Sequence, residues 1–169
     1  MQENILMDGR LMETNYKAYY NKQLSAGQAY QEWISTVSYD LFKIKIESYN
    51  TKEEQYNIGE NALGMEIKND QKFRETGNLY IEVKEKSHPE NYNYVDSGIY
   101  RTDNSWLYCI GDYNTFYIFG KNHLQQLHKS KKYREVKTPT SIGFLLPLTD
   151  ADNECEKKVI IEVTNNASL

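Results

Sequence analysis

Residues 59–86, GENALGMEIKNDQKFRETGNLYIEVKEK, carry the stretch that decides the fold. Two Glu-x-Lys triplets, Glu66-Ile67-Lys68 and Glu82-Val83-Lys84, flank Thr76-Gly77-Asn78. Two strands joined by a tight turn there would set the triplets side by side. Side chains alternate along a strand, so Glu66, Lys68 and Asp70 share one face of the first. Glu82, Lys84 and Lys86 share one face of the second. If the two faces coincide, carboxylates and lysines converge on one patch. Like charges opposed across a sheet are destabilising, and a divalent metal would give the carboxylates a reason to be there.

That patch suits phosphodiester hydrolysis. Magnesium prefers oxygen ligands and is usually held by one or two carboxylates plus substrate phosphates. It polarises a phosphoryl oxygen, and a nearby lysine can orient water or stabilise the developing negative charge.

The residues resemble the PD-(D/E)XK nucleases, the restriction-endonuclease-like superfamily. More narrowly, Glu66-Ile67-Lys68-Asn69-Asp70, then Thr76-Gly77-Asn78-Leu79-Tyr80-Ile81-Glu82, then Ser97-Gly98-Ile99 and Thr102, are similar to a group of phage and prophage proteins. The similarity spans roughly residues 58 to 127. It implies an α/β fold with a restriction-endonuclease-like core, a mixed central sheet flanked by helices. It implies a Mg2+- or Mn2+-dependent endonuclease acting on DNA, phage or mobile-element encoded. Glu66 would be a metal ligand, Lys68 the catalytic lysine, and Glu82 a second acid facing the same site. The family's first acid has no clean counterpart; Glu60 is the nearest candidate and Glu54 a weaker one. A rival register takes Asp70 as first acid and Glu82-Val83-Lys84 as the signature, with Lys84 catalytic. The metal set is then drawn from Glu60, Glu66, Asp70 and Glu82. The resemblance also brings Asp96 and Ser97-Gly98 near the site. A nuclease-like fold without catalysis, binding nucleic acid or protein, is the alternative.

Alternating Lys and Glu on a strand is ordinarily a solvated face. That reading fits Lys45 and Glu47, and also Glu85 and Lys86. The paired triplets, the turn and the flanking acids set residues 66–84 apart. Residues 128–137, HKSKKYREVK, offer Lys129, Lys131, Lys132, Arg134 and Lys137 around Tyr133. Such a run can grip a phosphate backbone while the ring stacks, or it can be a solvated helix end. Lys72 and Arg74 would extend the same surface.

Composition bounds the rest. The 169 residues fit one domain with a real core, residues 1–14 forming a loose arm and 150–169 a peripheral segment. Fifteen Tyr favour a core edge rich in amphipathic rings over a Tyr-lined groove. A net charge of −4 is not that of a general nucleic-acid binder, so phosphate contacts would need a local basic stripe. Cys109 and Cys155 form neither a disulfide framework nor a zinc pattern, and His88, His123 and His128 read as structural or surface. Neither a signal peptide nor a membrane-spanning run is visible, which predicts a soluble, cytoplasmic protein without membrane contact. A homodimer is compatible with cutting two strands.

Helical spacing from Tyr16 puts Ala29, Tyr30, Trp33, Ile34, Val37 and Leu41 on one stripe. Residues 44–46 read as the start of a strand and 52–61 as a short helix delivering Glu60. Strands follow at 63–73, 79–85, 106–110 and 116–119. Asn122 is positioned to cap a helix to about residue 130. An apolar run at 142–148 and a strand at 159–163 complete the order.

Overall fold

The computed structural model describes residues 9–161. It opens with one long helix, α1 (Gly9–Phe42). Tyr30 and Ile34 are fully buried and Ser38 nearly so, while Trp33 and Val37 pack at the margin. The expected stripe is therefore real but narrower, since Ala29 and Leu41 face solvent. Helix is already present at Gly9, the first described residue, so residues 9–14 belong to α1 rather than to a loose arm. The rest of the expected arm, residues 1–8, and the end of the expected last strand and peripheral segment, residues 162–169, lie outside the described residues.

Residues 44–46 do not form a strand. Ile46 is buried in an irregular segment, and only Ser48 bridges to Asn61. Lys45 pairs with Glu47 in full solvent, as expected of a solvated face. Thr51 and Glu54 close a capping box on α2 (Lys52–Asn57). Glu54 is thereby committed to starting a helix, which removes it as a candidate for the first acid.

Two four-stranded sheets follow. The first is mixed, in the order β1 (Met65–Asn69), β4 (Leu107–Gly111), β5 (Thr115–Gly120), β8 (Lys157–Ile160), with β1 and β4 parallel and the rest antiparallel. The second is antiparallel, in the order β3 (Val95–Asp96), β2 (Asn78–Glu85), β7 (Ser141–Pro147), β6 (Glu135–Lys137). The α/β class with a mixed sheet matches the expectation. The second sheet does not, and it takes the strand that was expected to pair with β1.

The reason is local. Residues 70–77 are not a hairpin turn. Asp70 accepts a backbone bond from Lys72, α3 (Phe73–Thr76) makes one helical turn, and Gly77 ends it at φ 70. A left-handed residue after a helix is glycine's usual task. Phe73 is buried, so the turn is anchored and the chain leaves β1 for a different layer.

Alternation along β1 sends Met65 and Ile67 to one face, where they pack with Cys109, Phe116, Val159 and the α1 stripe. On the other side Tyr108, Ile110, Tyr117 and Phe119 of the first sheet meet Leu79, Ile81, Val83, Phe144 and Leu146 of the second. The first sheet thus lies between α1 and the second sheet, with an apolar layer on each face. The helix α4 (Lys121–Lys129) buries Leu124 in the inter-sheet layer. Its N-cap is Gly120, not Asn122. Residues 150–161 are not peripheral. Ala151 of α5 (Leu148–Glu154) is fully buried and β8 is a member of the first sheet.

No helix among the described residues is long and apolar enough to cross a membrane.

Candidate active site

The first sheet leaves β1 as a free edge. An exposed edge carries unpaired backbone groups that must be covered. Asn61 covers Met65 with two bonds, accepting from its N–H and donating to its carbonyl. Glu60 Oε2 accepts from the Ile67 N–H at 2.9 Å. Glu60 therefore sits beside the Glu66-Ile67-Lys68 triplet because it closes an open strand. Burial pushes its carboxyl up to about 7, although Lys68 pulls the other way.

Along this edge runs a cleft of about 950 Å³. Glu60, Lys68, Asp70, Tyr80, Glu82 and Tyr108 line its floor. Glu66 lies beneath, 1% exposed, with Lys68 Nζ 3.1 Å from Oε1 and Lys121 Nζ 3.9 Å from Oε2. Lys68 also comes within 3.9 Å of Glu82 Oε1. Burial opposes the Lys68 charge, but Glu66 and Glu82 outweigh it and hold the ammonium well above the ordinary lysine range. Lys68 is thus a fixed cation at the meeting point of two carboxylates from different sheets.

Glu82 lies on the opposite side of β2 from the buried Leu79, Ile81 and Val83. Ser97 Oγ donates to its Oε1 at 2.7 Å. Gly98 follows at φ 52, where a Cβ would come within 2.2 Å of the Glu82 carbonyl oxygen. This close approach requires glycine and brings Ser97 onto the carboxylate. Ser97-Gly98 therefore stands against Glu82. Asp70 caps the start of β2, accepting from Tyr80 N–H as well as Lys72 N–H.

Lys84 is not brought in. The ladder between β2 and β7 slips between Glu82 and Lys84, a bulge that breaks the alternation. Lys84 is exposed, and it is not part of the cleft lining. The basic run is elsewhere too. Tyr133 is stacked on Phe144 and donates to Asp150, to which Lys132 also bonds. Lys129 lies over the Tyr100 ring, while Lys131 and Arg134 are exposed away from the cleft. Of the expected nucleic-acid contacts only Lys72 lines the cleft; Arg74 is held by Asp112 and Thr115. His123 and His128 pair with Glu154 and Glu135, in structural roles.

Sequence reasoning missed the group that supports Glu66 from below. Lys121, 4% exposed, bonds the Arg101 carbonyl at 2.9 Å, Asp103 Oδ1 at 3.1 Å and Ser105 Oγ. Asp103, bonded by Ser105 and Lys121, is held below the usual carboxylate range despite burial. The available signal was position, since a lysine on the first turn of a helix opposes the helix dipole. Tyr108, which pairs with Glu66 in the parallel register, was also missed.

One property sets the cleft apart. Among the described residues, the buried side-chain atoms without a hydrogen-bond partner are both Glu66 oxygens, Asn69 Oδ1 and the Tyr108 hydroxyl. All belong to the cleft floor or lie directly beneath it. Unpartnered buried polar groups are rare and costly. The Tyr108 hydroxyl is held well above its ordinary range by burial and by Glu66. No three Asp, Glu, His or Cys side chains among the described residues are grouped so as to hold a metal ion by themselves. The donors that remain, Glu66 and Glu82, are hard carboxylate oxygens. Such a pair suits a cation completing its shell with phosphate oxygens. No protein-family model matches the chain, and no curated protein and no solved structure matches it.

Proposed function

We propose that this chain is a metal-dependent nuclease of the PD-(D/E)XK kind that hydrolyses DNA phosphodiester bonds in the β1-edge cleft. The observation that carries the reading is the concentration of buried polar atoms without a hydrogen bond, on Glu66, Asn69 and Tyr108, beside the Lys68 ammonium. Glu66 and Glu82 would hold Mg2+ or Mn2+, with Asp70 and Glu60 on the flanks. When bound, the cation supplies Lewis-acid polarisation of the phosphoryl oxygen.

The chain's own residues do the rest. Lys68, kept charged by two carboxylates, faces the phosphate and stabilises charge developing on its oxygens. Lys121 stands beneath Glu66, its Nζ 3.9 Å from Oε2, and would steady the carboxylate from below. Ser97 fixes the Glu82 carboxylate, and the Tyr108 hydroxyl offers a donor at the floor. Glu60, with its carboxyl raised to about 7, is suited to exchanging a proton with water near neutral pH.

A second reading is favoured by one observation: both Glu66 oxygens already face ammoniums, Lys68 and Lys121. In that reading the lysines stand where a cation would, and the cleft binds without cutting. Cleavage of supercoiled plasmid and of branched DNA with magnesium, manganese or EDTA separates the two. Metal-dependent cutting by the wild type, lost in Lys68→Ala and kept in Lys84→Ala, supports the nuclease. Well-folded wild type that cuts nothing supports the binding protein.

A further inference from the structure

The wall opposite the catalytic floor belongs to α1 and α2. Tyr19, Lys22, Gln23, Gln28, Lys52 and Tyr56 line it. The helix α1 runs for 34 residues, about 50 Å at the usual rise. Its buried stripe starts only at Tyr30; the described side chains from Ala18 to Ala29 are exposed or half-buried. The described side chains of this stretch therefore add no buried stripe to the core. Isolated helix is marginal in water, so these exposed side chains are free for something other than core packing.

Its chemistry is consistent. The lining cations are Lys22, Lys52, Lys68, Lys72 and Arg101, against the acids Glu60, Asp70 and Glu82. The cleft is thus net positive in a chain of net charge −4. Lys22, Lys52 and Lys72 are exposed and make no ion pair among the described residues, unlike Lys132, which Asp150 holds. Tyr19 is 62% exposed and Tyr56 77%, and neither ring packs on another ring among the described residues. Exposed rings beside unpaired cations are the parts of a single-strand platform, where bases stack and phosphates follow the charge. A duplex keeps its base faces stacked inside and has nothing to offer such rings.

We infer that the α1–α2 wall is a binding track for an unpaired nucleic-acid strand, with Tyr19 and Tyr56 stacking bases and Lys22 and Lys52 following phosphates. This inference rests on the nuclease reading and gives the cleft a substrate class: DNA with single-stranded segments, such as flaps, ends or branches.

The test is fluorescence anisotropy in EDTA, using a labelled oligothymidylate of about 15 nucleotides and a duplex of equal length. Four double variants are compared with the wild type: Lys22→Glu/Lys52→Glu, the milder Lys22→Gln/Lys52→Gln, Tyr19→Ala/Tyr56→Ala, and Lys131→Glu/Arg134→Glu on the distant basic run. Each is first matched to wild type by circular dichroism and melting temperature. The expected result is single-strand binding tighter than duplex binding. It should weaken about 10-fold or more in the Lys22/Lys52 and Tyr19/Tyr56 pairs and stay unchanged in the Lys131/Arg134 pair. The glutamine pair should fall in between, with a shallower salt dependence. Equal or tighter duplex binding, full affinity in both track pairs, loss confined to the Lys131/Arg134 pair, or no binding to either probe would each overturn it. Manganese-dependent cutting alongside full affinity in the track pairs removes the track and leaves the nuclease. Track-dependent binding without cutting under any metal does the reverse.

Discussion

Glu66-Ile67-Lys68 brings both of its charged ends to the site, Lys68 in the cleft and Glu66 directly beneath it, whereas Glu82-Val83-Lys84 brings only the first. The two triplets have the same chemistry and differ in backbone. β1 is a short regular strand in unbroken register with β4, so residues 66 and 68 stay on one side. In β2 the ladder slips between Glu82 and Lys84, and the lysine turns out to solvent. The first triplet also rests on a buried cation, Lys121, while Glu82 of the second is held by the Ser97 hydroxyl and by the half-exposed Lys68 of the first. A motif thus acts as a unit only where the strand beneath it is regular and its charges have buried counterparts.

The largest effect on stability is expected beneath the first triplet. Lys121→Met strands Asp103 and Glu66 without their shared cation. Breaking a buried pair by removing one partner costs about 3–5 kcal/mol. A fall in melting temperature of many degrees is expected in calorimetry. A variant that melts with the wild type would show that the first triplet does not depend on its buried support.

A smaller loss is expected at the second triplet. Gly98→Ala puts a Cβ against the Glu82 carbonyl at a backbone angle that side chains rarely adopt. The strain is of order 1–3 kcal/mol, and it would push Ser97 off the Glu82 carboxylate. Chemical denaturation measures the loss. An unchanged midpoint would mean that Glu82 is not held by this approach.

Smaller still is the pH effect of Glu60, which covers the first triplet's edge. Its folded carboxyl is raised by burial from its ordinary 4.5 to about 7. As pH rises through that window the unfolded chain releases the proton first, so stability present below about 4.5 is lost progressively up to about 7. Glu60→Gln keeps an acceptor for the Ile67 N–H and removes the titration. Relative to wild type its stability should climb between those limits and level off above them. Parallel profiles would place Glu60 in ordinary solvent.

Local signals in the sequence were legible and long-range ones were not. Tyr30 and Ile34 follow from helical spacing, and β4, β5 and β7 from apolar runs bounded by turns, because each signal lies within a dozen residues. The convergence of Glu66, Lys68 and Glu82 was also anticipated, though for a reason the fold does not use. They meet across two sheets, since β2 takes its partner from β7, some sixty residues further on. Lys121 could not be tied to Glu66, because its place on the first turn of α4 marks it as unusual without naming the carboxylate it meets. The basic run misled for the same reason: its charge was visible, and the prior commitment of Tyr133 to Phe144 and of Lys132 to Asp150 was not.

The most direct measurement compares plasmid cleavage by wild type, Lys68→Ala and Lys84→Ala with manganese, all three matched in melting temperature. Loss of about 100-fold or more in Lys68→Ala, with Lys84→Ala cutting as the wild type does, is the expected outcome. Full cutting by Lys68→Ala, or loss confined to Lys84→Ala, would contradict the assignment of the catalytic lysine to the regular strand.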